Sequence, residues 1–191
     1  MDRRQFFLGT ALGALTVALA PAQALAHHTG RRRSRGIAKK WLPQRVRFRG
    51  YRPGTVVVDP RSRFLYYVES SRFARRYGVS VGKAGLAWSG SARIGMKRKW
   101  PRWQPTRAMI RREPQKYAKY ADGVPGGPGN PLGARALYLF RGKRDTLYRI
   151  HGTNQPWSIG RAASNGCIRM LNDHVVDLYN RVPVGARVVV L

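Results

Sequence analysis

His151–Leu171 reads HGTNQPWSIGRAASNGCIRML. It holds Cys167, the only cysteine of the chain, and His151, one of two histidines outside the N-terminal region. Thr146–Ile150 just upstream is apolar and β-branched enough to be a strand, so His151 falls at a strand end. The loop Gly152–Asn165 can then carry the chain back and set Cys167 beside the imidazole. Ser164-Asn165-Gly166 is a tight turn of small residues leading directly into the thiol.

Working outward, the segments on either side read mostly as strands. Upstream, Thr55–Asp59 is β-branched, Pro60-Arg61-Ser62 is a turn, and Arg63–Glu69 (RFLYYVE) returns, which predicts a hairpin. Phe73–Val81 supplies a further strand, ending at the turn Gly82-Lys83-Ala84-Gly85. Gly90–Met96 supplies another. Ala134–Phe140 pairs with Thr146–Ile150 across the turn Arg141–Asp145. Arg98–Arg112 is rich in Trp, Pro and Arg, and its prolines argue for a loop rather than a central strand. Gly123–Gly133 (GVPGGPGNPLG) is a turn-rich connection without the Gly-Lys-Ser/Thr ending of a phosphate loop. Downstream, Asn172 or Asp173 is placed to cap a helix whose buried face is Val175, Leu178, Tyr179 and Val182. Pro183 and Gly185 end it, and Ala186–Leu191 is a closing strand. Several strands, one or two short helices and no repeats predict a mostly-β, sandwich- or barrel-like domain.

The chain has 191 residues, with 37 Lys+Arg against 8 Asp+Glu and a net charge of +29. That balance selects anionic partners: nucleic acid, phosphorylated lipid or a carboxylate-rich polymer. The N-terminus narrows the choice. Arg3 and Arg4 precede the apolar run Phe6–Ala20, and Ala24-Leu25-Ala26 is a small-x-small cleavage site. This is the layout of a secretory signal over residues 1–26, and the arginine pair before Gln5-Phe6-Phe7-Leu8 looks like a twin-arginine export signal. The apolar run is short of the ~20 residues of a spanning helix. An exported protein meets no chromosomal DNA or RNA, so nucleic acid drops out as a partner. Residues 27–53 are basic and sparsely apolar, and read as a flexible arm that contacts an anionic envelope surface. The adjacent His27 and His28 offer a metal little.

Export also bears on Cys167. In an oxidising compartment a single cysteine is buried and inert, paired with another chain, or a working thiol. Its surroundings favour work. Arg161 and Arg169 supply positive potential, which favours the thiolate. His151 is the base that thiol catalysis requires nearby. Gly166 and Cys167 are the candidate backbone donors for an oxyanion. His174 is a competing base, disfavoured by its place in the first turn of the predicted helix. One Cys and two domain histidines leave too few ligands for zinc. No metal and no cofactor are expected. In Arg98–Arg112, indoles such as Trp103 suit sugar rings and guanidinium groups suit carboxylates.

At these residues the sequence resembles the L,D-transpeptidase catalytic domain of bacterial cell-wall enzymes. The resemblance rests on His151-Gly152-Thr153-Asn154, Ile159-Gly160 and Ser164-x-Gly166-Cys167-Ile168-Arg169-Met170. It extends to Val56–Tyr67, Val79–Lys83, Pro101-x-Trp103-x-Pro105 and Gly129-Asn130-Pro131-Leu132-Gly133, and covers 54–191. It implies a mostly-β catalytic domain in which Cys167 is the nucleophile and His151 the base and later acid. Gly152 would orient the imidazole through its carbonyl, and Ser164 would help hold the site. Arg169 would contact substrate or tune the thiolate, and Trp103 and Asn165 join it as candidates for substrate contact. Many members have histidine where Asn165 stands, so Asn165 cannot add a second base. Ala87–Arg93 (AWSGSAR) also departs from the family's Thr-Pro-x-Gly.

The implied activity is acyl transfer on peptidoglycan stem tetrapeptides in the periplasm. The acceptor amine would lie on another stem, an envelope protein or a free D-amino acid. The rival reading is a non-catalytic, basic module that binds the cell envelope.

Overall fold

The computed structural model describes residues 36–84, 86 and 88–191. The expected export signal, His27, His28 and the first part of the expected arm lie outside the described residues, as does Ala87 of AWSGSAR. Gly36–Leu191 forms one compact unit. Among the described residues no helix is long and apolar enough to cross a membrane.

The centre of the fold is the valine run. Val56–Asp59 (β2) pairs antiparallel with Phe64–Val68 (β3), which pairs with Phe73–Gly78 (β4). Val56, Val57 and Val58 are all fully buried, so β2 is covered on both faces. Each such side chain contributes about 1.5–3 kcal/mol on leaving water. Arg187–Val190 (β11) lies parallel to β2 and antiparallel to Gly90–Lys99 (β6). β6 continues to Arg135–Arg141 (β7) and Arg144–His151 (β8). Ile168–Arg169 (β10) closes the row, parallel to β8. With Gln44–Arg47 (β1) at the other edge, the nine-stranded sheet runs β1-β4-β3-β2-β11-β6-β7-β8-β10. Val81–Gly82 (β5) and Ala162–Ser164 (β9) form a separate parallel pair. The mostly-β expectation holds.

Three expectations are revised. A helix occurs where a loop was expected, and a second follows it: Arg107–Arg112 (α1) is capped by Thr106 Oγ1, which accepts from Met109 N at 3.2 Å, and Pro114–Tyr117 (α2), in a stretch given no assignment, carries proline in its first turn. The proline-rich flanks hid this short cap-and-turn signal. Second, Asn172–Arg181 (α3) forms as expected and buries His174, Val175 and Leu178, yet neither Asn172 nor Asp173 caps it. The N-cap position is Leu171, and Asn172 works elsewhere. Val182 ends the helix in extended conformation, as the residue before a proline must.

The third revision concerns the arm. Within 36–53 the chain is not a free arm. Gln44–Arg47 pairs residue for residue with β4, from Gln44 opposite Arg76 to Arg47 opposite Phe73. Trp41 packs 5.1 Å from Phe64. It lies so close to Gly78 and Gly160 that a Cβ on either would fall within 2.7 Å of it. The indole therefore anchors the segment to β4 and to the loop that follows His151. Backbone pairing with an exposed edge outweighs the local polarity of QRVR, because an open edge leaves β4 donors and acceptors unpaired.

Candidate active site

Two short strands bring the site together. β8 ends at His151, and β10 starts one residue after Cys167. They run parallel with Ile168 opposite Ile150 and Arg169 opposite His151. In a parallel pair, opposed residues share a face and alternate residues return to it. Arg149, His151, Cys167 and Arg169 therefore all lie toward one face. β10 is held from its other side as well, by a reciprocal pair of bonds between Arg169 and Ser80 of 2.8 and 2.9 Å.

The turn before the thiol is tied internally. Ser164 Oγ donates to the Cys167 carbonyl at 2.5 Å and accepts from Gly166 N at 3.1 Å. The Gly166 N–H is thus already engaged, which corrects the expectation that it serves an oxyanion and leaves Cys167 N–H as the remaining candidate. Gly166 has φ +116°, and a Cβ there would meet Tyr148 Cε1 at 2.7 Å and the Leu86 carbonyl at 2.8 Å. Only glycine permits this turn. Behind it Tyr148 stacks on Trp88 at 5.4 Å.

His151 is buried, and its Nδ1 lies 2.6 Å from the Gly152 carbonyl oxygen. That carbonyl can only accept, so Nδ1 carries the hydrogen and Nε2 keeps its lone pair. Burial, then the Arg169 guanidinium, push the imidazole down to about 3, against the pull of the Gly152 carbonyl. The ring is neutral at physiological pH. Cys167 is half-buried, and its Sγ faces the Leu147 carbonyl at 3.9 Å. Burial raises the thiol above its ordinary value, although the Arg149 backbone and the Arg149 and Arg169 guanidinium groups oppose the rise. The thiol and the imidazole are both neutral at rest, a pairing that suits a proton transfer concerted with attack.

The two arginines of the face differ. Arg149 is neutralised by Asp145 through paired 2.7 Å bonds. Arg169 meets only the neutral Gln155, at 3.2 Å. The site therefore keeps one cation free of carboxylate among the described residues. His, Cys, Asp and Glu do not cluster in threes among those residues.

The other expected residues fall as follows. Gly152 is buried, and a Cβ there would collide with Asn172 Oδ1. Trp103 is half-buried against Tyr120 and Tyr117, at 5.7 and 6.3 Å, and its backbone bridges Val124. Asn165 is engaged at both ends of its amide: Oδ1 accepts from Arg112 Nη2 at 3.0 Å, and Nδ2 donates to Tyr117 Oη at 2.8 Å. The α1–α2 segment is thereby latched to the nucleophile turn. His174 does not join the site; its ring packs 6.2 Å from Tyr77.

Several residues escaped the sequence reading. Asn172 Oδ1 accepts from Ala134 N at 3.0 Å and Thr153 N at 3.3 Å, stitching the loop after His151 to the helix. Asn130, almost fully buried, ties down the GVPGGPGNPLG connection through Val124, Pro125 and Leu132. Trp157 is 65% exposed beside Gln155, in the loop between base and nucleophile. An indole after proline in a polar loop was the visible signal for Trp157.

A thiol, a neutral imidazole whose Nδ1 faces a carbonyl and, among the described residues, a guanidinium free of carboxylate make up a thiol–imidazole site on a mostly-β domain. A family model described as the L,D-transpeptidase catalytic domain matches residues 53–190. The chain is 38% identical over 146 residues to the probable L,D-transpeptidase ErfK/SrfK of Escherichia coli, covering 73% of this chain and 44% of that protein. The matched region thus spans less than half of that relative. A crystal structure from Brucella melitensis, described as a probable carnitine operon oxidoreductase caia, shares 60% identity with a TM-score of 0.57, covering 81% of this chain and 96% of that one. Its description speaks of the Brucella protein; what is shared is sequence and fold. An L,D-transpeptidase from Mycobacterium smegmatis has the same fold at TM-score 0.52 and 17% identity, over 72% of this chain and 58% of its own. The chain belongs to the L,D-transpeptidase catalytic-domain family.

Proposed function

We propose that the protein is a cysteine L,D-transpeptidase acting on peptidoglycan stem tetrapeptides. The observation that supports this best is the shared face of His151 and Cys167, with the His151 tautomer set by the Gly152 carbonyl. In this reading His151 Nε2 takes the thiol proton as Sγ attacks the carbonyl of the third stem residue, a diamino acid bonded through its L-centre to D-alanine. The C–N bond breaks, the proton passes from His151 to the leaving D-alanine amine, and a thioester forms. An acceptor amine attacks the thioester, gives up its proton to His151, and the thiol returns. Cys167 N–H is the donor toward the developing oxyanion. Arg169 receives a stem carboxylate, because it is the cation of this face that no carboxylate neutralises. Trp157 offers an indole face to a sugar ring.

The acceptor is an amine on a second stem, an envelope protein or a free D-amino acid, and the place of action is the periplasm, reached by the twin-arginine route. Mass spectrometry of tetrapeptide muropeptides incubated with the protein should show loss of D-alanine and gain of the acceptor. A carbapenem should add its mass to Cys167. The Cys167→Ala protein should do neither; turnover by that variant would sink the reading, and envelope binding with no turnover by the unaltered protein would favour an envelope-binding module.

A further inference from the structure

At the edge of the family match, pairing of β1 with β4 brings three arginines to one place. The β1–β4 register sets Arg47 opposite Phe73, and the Phe48 N–H to Arg72 carbonyl bond of 2.9 Å extends the ladder by one residue. Arg47, Arg49, Arg72 and Phe73 line a surface cavity of about 120 Å³. That is room for several waters, or for one tetrahedral oxyanion. We infer that this cavity is a binding site for a phosphate monoester, distinct from the thiol site.

Charge is the first argument. The nearby carboxylate, Glu69, is already taken by Arg45, Arg75 and Arg181 at 3.5, 3.1 and 3.7 Å. Among the described residues no carboxylate meets Arg47, Arg49 or Arg72. The three arginines are solvent-exposed and line one cavity, so an anion there meets positive charge from each. A carboxylate brings one negative charge, whereas a phosphate monoester brings about −1.5 to −2 at neutral pH and three acceptor oxygens. The planar forks of arginine suit those oxygens.

Order is the second argument. Ser70 Oγ accepts from Phe73 N at 3.2 Å, and Phe73 O accepts from Glu69 N and Ser70 N, so the turn carrying Arg72 is tied down. Phe48, between Arg47 and Arg49, stacks on Tyr66 at 4.4 Å and near Tyr51 at 5.7 Å. Arg45 lies over the Phe73 ring at 4.1 Å, which fixes the floor. The backbones of the three arginines are thus set before a ligand arrives, and only their exposed side chains are left to order on binding.

The test is titration of the full chain with glucose 1-phosphate by calorimetry at low salt. The Arg47→Gln/Arg72→Gln protein should bind about tenfold more weakly or worse, while Lys143→Gln/Arg144→Gln, the same loss of two charges at a distant turn, should change affinity less than about twofold. Cys167→Ala should bind like the unaltered protein, which separates this site from the proposed chemistry. Acetate at equal ionic strength should not displace the sugar phosphate. Equal loss in the Arg47/Arg72 and Lys143/Arg144 variants would assign binding to diffuse charge and overturn the site, as would equal competition by acetate. Should the double variant unfold, Arg49→Gln carries the same expectation. Sedimentation with phosphatidylcholine vesicles containing phosphatidic acid then separates the sources. Binding lost in the double variant marks a lipid headgroup, and vesicle binding absent in both proteins marks a soluble or polymer-borne sugar phosphate.

Discussion

At the scale of the residue, the site turns on His151 being neutral. Its imidazole is pushed from 6.5 to about 3 by burial and Arg169. Two consequences carry opposite signs from those of a paired histidine. Between pH 6.5 and about 3 the unfolded chain binds a proton at His151 that the folded chain does not. Stability is therefore full above 6.5 and falls as pH drops, by at most about 1.4 kcal/mol per pH unit from this group. The acid limb of kcat/KM should lie well below pH 6 rather than at the ordinary histidine value. Denaturant unfolding at a series of pH values should show a shallower acid loss for His151→Gln, and an acid limb centred near 6.5 would contradict the neutral resting pair.

At the scale of the element, β10 is only two residues long and cannot hold itself. β8 pairs with it on one side and Ser80 on the other, and the turn before it is latched to α1 and α2 through Asn165. Two hydrogen bonds of ordinary net worth, about 1 kcal/mol each, separate the latched from the free α1–α2 segment. Replacing Asn165 with Ala should speed amide exchange over 107–117 by about thirtyfold, with β7 and β8 unchanged. No change in that segment would mean that its packing, through Trp103 on Tyr117 and Tyr120, holds it without the latch. A bulge in β8 supports the same site. The pairing shifts between Tyr138 and Phe140, and opposite it Leu147 sits at φ 64° with its carbonyl toward Cys167 Sγ. A leucine in that region is strained, and bulges re-aim strands beside active sites.

At the scale of the whole molecule, Gly36–Arg47 belongs to the domain. Trp41 touches β3 through Phe64, β4 through Gly78 and the His151–Cys167 loop through Gly160. The Trp41→Ala protein should lose about 2–3 kcal/mol of unfolding free energy, read as a lower urea midpoint at unchanged slope. An unchanged midpoint would return this segment to the status of a tether. The full chain carries a net charge of +29 with only 8 Asp+Glu, so its long-range pull on anionic polymer is strongest at low salt.

By itself the sequence determined the strands of the central hairpin, the helix α3, the strand-end position of His151 and the identity of the thiol. Each of these is written in adjacent residues: valine runs, turn residues, helical spacing and a motif of contiguous letters. Tertiary structure decided what distant residues do to one another. Asn172 looked like a cap because caps are read locally, but its amide oxygen found better donors at Ala134 and Thr153. Asn165 looked free for substrate until Arg112 and Tyr117 arrived from a segment read as loop. Gln44–Arg47 looked like an arm because its polarity is local, while the open edge of β4 that claims it is not. Hydrogen-bond partners and burial are set by chain crossings, and no short stretch of sequence contains them.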